Sequence, residues 1–296
     1  MLTGETRGCL LALTGLVALT VGAHPELSHG QGPGAAKPPT RIISVIPAVT
    51  EMLFAVGAGP RVVGVGNFDH FPPEVERIER VGALLDPNVE RIFALRPDLV
   101  VVYRSQTDLI AQLARAQIPA FVYAHAGLAD VTSTLRELGA RVGAADRADT
   151  LAADIERRID ALRKRYATGP RPKTLVVIGR DGFALRGIYA SGGTGFIHDM
   201  LMAAGADNVF ADTKREAVQA TSELILARAP EIVLELRGDP IDATTQAKEV
   251  QTWDALASLP AVRNKRVRII ADSRTVIPGP RVADAVELLA EAIHKP

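Results

Sequence analysis

Residues Glu90–Val101, ERIFALRPDLVV, and residues Glu223–Leu234, ELILARAPEIVL, carry one pattern twice. In each copy a glutamate opens a short run with apolar residues at helical spacing. A proline follows at the same offset, Pro97 and Pro230, and a β-branched apolar stretch comes next. Proline lacks the N–H that a helix interior needs, so it ends the helix, and the stretch beyond it reads as a buried strand. A glutamate in the first turn suits the helix dipole, and Ser222 is the expected N-cap of the second copy.

Working outward, Arg41–Pro47 (RIISVIP) reads as a strand and Val49–Val56 as a helix stopped by Gly57. The echo is Leu175–Gly179 (LVVIG), then Gly192-Gly193-Thr194-Gly195, then the helix Phe196–Ala204 stopped by Gly205. Glu51-Met52-Leu53 stands before Gly57-Ala58 as Asp199-Met200-Leu201 stands before Gly205-Ala206. Further short apolar strands at Val62–Val65, Leu99–Tyr103, Ala120–Tyr123, Ile232–Leu236 and Val267–Ile270 alternate with helices. This predicts an α/β chain of two Rossmann-like lobes with mainly parallel sheets. Between them Ala144–Tyr166 holds no Gly or Pro and places Leu151, Ile155, Ile159 and Leu162 on one face. It is expected to be one long backbone helix joining the lobes and limiting hinge closure. The expected divisions are 41–143 for the first lobe, 144–168 for the connecting helix and 169–296 for the second lobe.

The chain has 296 residues, 47% of them hydrophobic, with 34 basic and 34 acidic side chains. That balance lacks the positive field that holds proteins on phosphate backbones, so nucleic acid is not an expected partner. A single cysteine, Cys9, excludes an internal disulfide framework and a multi-cysteine metal site. Cys9–Val21 is apolar and too short to span a bilayer, and Val21-Gly22-Ala23 supplies small residues. Residues 1–23 therefore read as a signal peptide cleaved after Ala23; left uncleaved, they would act as a membrane tether. Residues 24–40, rich in Gly and Pro, read as a flexible linker.

Three stretches carry a resemblance to a known family: Ser44–Glu51 (SVIPAVTE), Gly64–Glu74 (GVGNFDHFPPE) and Asn88–Val100 (NVERIFALRPDLV). With Pro278-Gly279-Pro280-Arg281-Val282-Ala283-Asp284 near the C-terminus, the chain resembles the helical-backbone (class III) periplasmic substrate-binding proteins of ABC importers. It looks most like their cobalamin-binding branch. The resemblance covers Arg41 to His294 and implies a soluble, non-enzymatic, monomeric periplasmic receptor with no cofactor of its own. Such a receptor would hold a cobalt corrinoid between its lobes and deliver it to an ABC permease with its ATPase. Glu90 and Glu223 correspond to the lobe-surface glutamates that dock on permease arginines. One exposed carboxylate at equivalent places on each lobe would make a two-point plug. The plain structural reading is that both are ordinary helix-start glutamates.

At the ligand, the resemblance and the chemistry of the residues together lead to the expectation of Ala48, Phe68, His70, Phe71, Leu84, Tyr103, Tyr189, Ser191, Asp272 and Arg274. Phe68 and Tyr189 stand where the pattern has aromatic residues, and Tyr103 replaces a tryptophan. Leu84 and Ala217 fall where it has tryptophans, and aromatic residues make up only 4% of the chain. The pocket should thus be more open than usual. Haem binders of the family often use a tyrosine just before the Pro-Pro pair; here that residue is Phe71, which cannot coordinate iron. His70 is an imidazole able to reach a metal only through the ligand's own iron or cobalt. A lone loop histidine is otherwise a solvated side chain. His125 is placed in a loop facing the cleft, and His198 is read as structural. Gly192–Gly195 lacks the Lys-Ser/Thr ending of a nucleotide loop and reads as a tight turn. No Gly-x-Ser-x-Gly is present, and Trp253 reads as a packing residue with one edge exposed. The alternative ligand is haem or a ferric siderophore, favoured if Arg104, Arg180 and Arg274 converge. The alternative of another class is a secreted enzyme or metal-handling protein on this fold.

Overall fold

β-branched runs too short to make helices open the described chain, and they assemble into a five-stranded parallel sheet. The structure, a computed structural model, describes residues 37–295. The expected signal peptide and most of the linker lie outside the described residues.

In the first lobe β1 (Ile42–Ser44) leads into α1 (Pro47–Ala55), with Pro47 at the first helical position, where its missing N–H costs nothing. There follow β2 (Val62–Val65), β3 (Glu79–Arg80), α2 (Val89–Ala94), β4 (Leu99–Tyr103), α3 (Thr107–Arg115), β5 (Ala120–Tyr123) and α4 (Ala129–Arg141). The strand order is β3-β2-β1-β4-β5, and every pairing is parallel. The long helix α5 (Ala145–Arg165) comes next, 21 residues and about 31 Å of rise. Its buried face is Ala148, Ala152, Ile155, Ile159 and Leu162. Leu151, expected in that stripe, is only half-buried, because the small alanines are what α4 packs against. A Cβ on Gly139 of α4 would sit 2.2 Å from the Ala148 Cβ, so the two helices meet where neither has bulk.

The second lobe contains β6 (Lys173–Gly179), β7 (Ile188–Ser191), α6 (Phe196–Ala203), β8 (Asp207–Asn208), β9 (Ala217–Ala220), α7 (Ser222–Arg228), β10 (Ile232–Arg237), α8 (Ala243–Gln251), α9 (Pro260–Arg263), β11 (Val267–Ala271) and α10 (Val282–His294). Its sheet runs β11-β10-β6-β7-β9, with β8 beside β6. The β11-β10-β6 part and β8 are parallel, but β7 and β9 pair antiparallel. The second copy of the opening unit is thus not strand, loop, helix. A tight turn folds β6 back onto β7 before α6 begins, with Asp181 N donating to Arg186 O at 3.0 Å. Gly182 and Gly187 take positive φ there, which glycine adopts without the clash of a Cβ.

Alternation along the central strands of this sheet assigns its two faces. Val176, Ile232, Leu234 and Leu236 join a core that runs continuously through α5, α10 and the first lobe. Leu175, Val177 and Val233 point the other way, into a separate cluster closed by Phe210 and Trp253. One hydrophobic core is thus shared by both lobes. The α7 cap is Thr221 rather than Ser222: Thr221 is extended and its hydroxyl accepts from Leu224 N at 3.3 Å, while Ser222 Oγ donates to Leu185 O.

Candidate functional site

Parallel strands end together, and the loops beyond β1, β2 and β4 meet the loop and 3-10 turn beyond β10 and β11 across the space between the lobes. Two hollows lie there and share Pro47, Val276 and Ile277 as common wall. The larger, about 480 Å³, has Phe68, His70 and Phe71 on the first-lobe side and Gly238, Asp239 and Ser273 on the second. The smaller, about 210 Å³, reaches deeper toward Ala48, Leu84, Tyr103, Tyr123 and His125.

Six of the ten residues expected at the ligand site line these hollows: Ala48, Phe68, His70, Phe71, Leu84 and Tyr103. Phe68 is 67% exposed and presents nearly its whole ring. The His70 side chain is 66% exposed, with Nδ1 3.4 Å from Glu76 Oε1. The other four residues line neither hollow. Tyr189 is exposed on β7, held in register with Gln219. Ser191 is buried, and its hydroxyl donates to Gly192 O at 3.2 Å, so no ligand reaches it in this arrangement. Asp272 and Arg274 form a bidentate pair at 2.9 and 2.6 Å and spend their polar atoms on each other. The Arg274 guanidinium holds the Asp272 carboxyl below its usual range.

The converging basic pocket does not form. Arg180 is fully buried and paired with Glu235 at 2.8 Å and with Glu249, while Arg274 is neutralised by Asp272. Arg237 bridges the same two glutamates, and Trp253 Nε1 donates to Glu235 Oε1 at 2.6 Å. Trp253 has no exposed edge; its indole N–H closes this buried network. No Lys or Arg lines either hollow among the described residues.

Several features were not visible in sequence. Glu51 of α1 accepts from Arg281, just ahead of α10, at 2.9 Å from Nε and 2.5 Å from Nη2. This pair ties the lobes across the cleft, and the guanidinium lies 3.9 Å over the Phe71 ring. Burial pushes the Glu51 carboxyl up against the opposing pull of Arg281. Asp69, between Phe68 and His70, is buried with no hydrogen-bond partner on either carboxylate oxygen among the described residues, and burial raises it to about 6 against the pull of Arg80. Tyr103, Tyr123, His125 and Phe196 form an aromatic chain with centroids 5.6 to 6.4 Å apart. His125 thus faces the cleft, as its loop position predicts. His198 is structural, within 3.3 Å of Asn208. The only sequence signal for the Glu51–Arg281 pair is the Pro-Gly-Pro-Arg run, which marks a rigid turn without naming the partner.

Glu90 and Glu223 are both exposed, one in the first turn of α2 and one in the first turn of α7. Hydrogen bonds from its own backbone N–H and from Thr221 lower the Glu223 carboxyl.

Known proteins place this architecture. The sequence profile of the periplasmic binding protein family matches residues 42–273. An uncharacterized ABC transporter substrate-binding lipoprotein of Bacillus subtilis, YvrC, is 30% identical over 266 residues, 87% of this chain and 81% of that protein. The vitamin B12-binding protein of Salmonella typhimurium is 31% identical over 224 residues, 75% of this chain and 80% of its own length. Among solved structures, the periplasmic vitamin B12 binding protein BtuF of Vibrio cholerae superposes with a TM-score of 0.75 at 24% identity, covering 87% of this chain and 98% of that one. The periplasmic heme-binding protein RhuT from Roseiflexus gives 0.72 at 27% identity, covering 86% and 97%. With its two α/β lobes, its stiff connecting helix and a cleft between them, this chain belongs to the periplasmic binding protein family and is a substrate-binding protein, not an enzyme.

Proposed function

We propose that the protein captures a cobalamin-like corrinoid in the inter-lobe cleft and hands it to an ABC permease and its ATPase. The observation that carries this reading is the cleft wall. It offers the exposed ring of Phe68 and the open side of Phe71 to a flat ligand and no unpaired cationic side chain to an anionic one. A haem, with two propionates, or an anionic siderophore would bury negative charge there with no unpaired cation to meet it. Phe71 also supplies no oxygen to ligate iron, and one face of its ring is taken by Arg281. The sequence resemblance and the vitamin B12-binding relative point the same way.

The chain would act as a monomer in the periplasm, exported by the signal at 1–23, with Glu90 and Glu223 meeting arginines of the permease. Affinity would come from a cleft already shaped for its ligand, since the shared core leaves little room for closure. Isothermal titration of the purified protein with cyanocobalamin and with hemin tests the reading. Saturable cobalamin binding is expected; silence with cobalamin together with tight hemin binding would overturn it in favour of haem.

A further inference from the structure

An exposed apolar side chain carries no meaning singly; its placement can. Among the described residues, Leu85 and Phe183 are the most exposed large apolar side chains outside the two hollows, at 92% and 59%. Topology puts both at the cleft end of the molecule. Leu85 lies in the turn beyond β3, and the parallel strands of the first sheet all end there. Phe183 lies in the turn beyond β6, which runs parallel to β10, and β10 leads into Gly238 and Asp239 of the larger hollow. The two docking candidates share this end. The Leu85 turn runs directly into α2, with Glu90 in its first turn. Because β6 and β9 each pair antiparallel with β7, β9 runs as β6 does, and α7 also starts at the cleft end, with Glu223 in its first turn.

Each apolar side chain is fastened to its glutamate helix. Ala83 N donates to Asp86 O at 2.9 Å and Asn88 N to Val81 O at 2.8 Å, which closes the Leu85 turn, and Asn88 then caps α2. The Phe183 turn is closed by Ala184 N donating to Asp181 O at 3.0 Å, and its Leu185 O accepts from Ser222 Oγ of α7 at 3.3 Å. Turns held this way lose little freedom when a partner covers them. The neighbouring cations are already spent: Arg91 pairs with Glu79 at 2.6 Å, Arg228 with Asp212 at 2.9 Å and Arg186 with Asp181 at 3.3 Å. Glu90 and Glu223 join no ion pair among the described residues. A partner that fits this end brings a cation and an apolar recess for each lobe, which is the chemistry of a protein surface. An anionic lipid surface would instead meet two carboxylates with like charge.

We propose that Leu85 and Phe183 are the apolar anchors of the permease-docking face, one on each lobe, supplying affinity where Glu90 and Glu223 supply register. The inference rests on the docking reading of those two glutamates and is independent of which ligand the cleft holds.

The test measures docking of the ligand-free receptor on the importer's permease and ATPase in lipid nanodiscs, for wild type, Leu85→Ser, Phe183→Ser and the control Met202→Ser. Met202 is exposed at the opposite end, where its carbonyl accepts from Arg171, just ahead of β6. Leu85→Ser and Phe183→Ser should each dock about tenfold weaker, mainly through faster dissociation, while Met202→Ser docks as wild type does. Both variants should keep the wild-type melting temperature and cyanocobalamin affinity, which separates docking from fold and cleft. Docking unchanged in both, while charge reversal at Glu90 and Glu223 abolishes it, would overturn the apolar anchors and leave the glutamate reading intact. Docking unchanged by the charge reversals would overturn the glutamate reading, and this inference with it. Binding of wild type to empty nanodiscs of the same lipid, lost in Leu85→Ser and Phe183→Ser, would overturn it in favour of a membrane contact.

Discussion

Replacing Arg281 with methionine isolates the tie between the lobes. The Glu51 side chain is only 2% exposed, and its two oxygens accept from Nε and Nη2 of Arg281 at 2.9 and 2.5 Å, across 230 positions of sequence. Removing one partner of such a pair strands a buried charge, which costs about 3–5 kcal/mol. Loss of the cation–π contact with Phe71 adds about 0.5–1 kcal/mol. For a chain of this size each kcal/mol shifts the midpoint by about 2–4 °C, so Arg281→Met should melt about 10 °C below wild type at pH 8. The pH dependence has a definite sign. Burial already raises the Glu51 carboxyl above its ordinary value, and loss of Arg281 raises it further. A protonated Glu51 needs no cation, so the deficit should shrink as the pH falls from 8 toward 5. Adding Glu51→Gln to the variant should restore about 2 kcal/mol, because the stranded charge is gone. Thermal and urea unfolding of the three proteins at pH 5 and pH 8 give all of these numbers. A loss below about 1 kcal/mol, or a deficit equal at both pH values, would refute the idea that this pair is a buried clamp.

The remaining predictions use other parts of the molecule. Asp69 has its carboxyl raised to about 6 from an ordinary 3.8, so the folded chain binds the proton more tightly than the unfolded chain. Stability from this group is complete below about pH 4 and is lost as the pH rises through 6, a span of about 3 kcal/mol. Asp69→Asn should therefore stabilise the protein at pH 7.5 and flatten the pH profile of its melting temperature between 4 and 7. Trp253→Phe leaves Glu235 without its 2.6 Å donor and should cost about 1–3 kcal/mol in urea unfolding. Arg180→Met, which leaves Arg237 as the one cation shared by the buried Glu235 and Glu249 among the described residues, should cost about 3 kcal/mol. Charge reversal at Glu90 and Glu223 should abolish uptake in a reconstituted importer while leaving ligand affinity within twofold; a parallel loss of ligand binding would show that these residues belong to the cleft.

What could be read along the chain was whatever depends on neighbours in sequence. The helix–proline–strand unit at 90–101 and 223–234, the long helix α5 and most strand positions follow from local spacing and from the backbone limits of proline and glycine. The β6–β7 turn was missed because four apolar residues look alike whether the strand they form pairs parallel or antiparallel. Thr221 and Ser222 differ by one position, and only the extended backbone of Thr221 picks it as the cap. In the cleft, Phe68, Phe71 and Tyr103 could be placed only through the resemblance to a known family, position by position. Arg180 could not be, since a side chain's burial depends on what other strands and helices bring to it, here Glu235 and Glu249. By itself the sequence determined two α/β lobes around a stiff helix, because hydrophobic periodicity and chain breakers act over a few residues. The tertiary structure alone decided which charges are spent on each other, above all Glu51 with Arg281, and which buried polar atoms, at Asp69, Tyr123 and His125, have no partner among the described residues. Those outcomes depend on distances between groups that the chain brings together only when it folds.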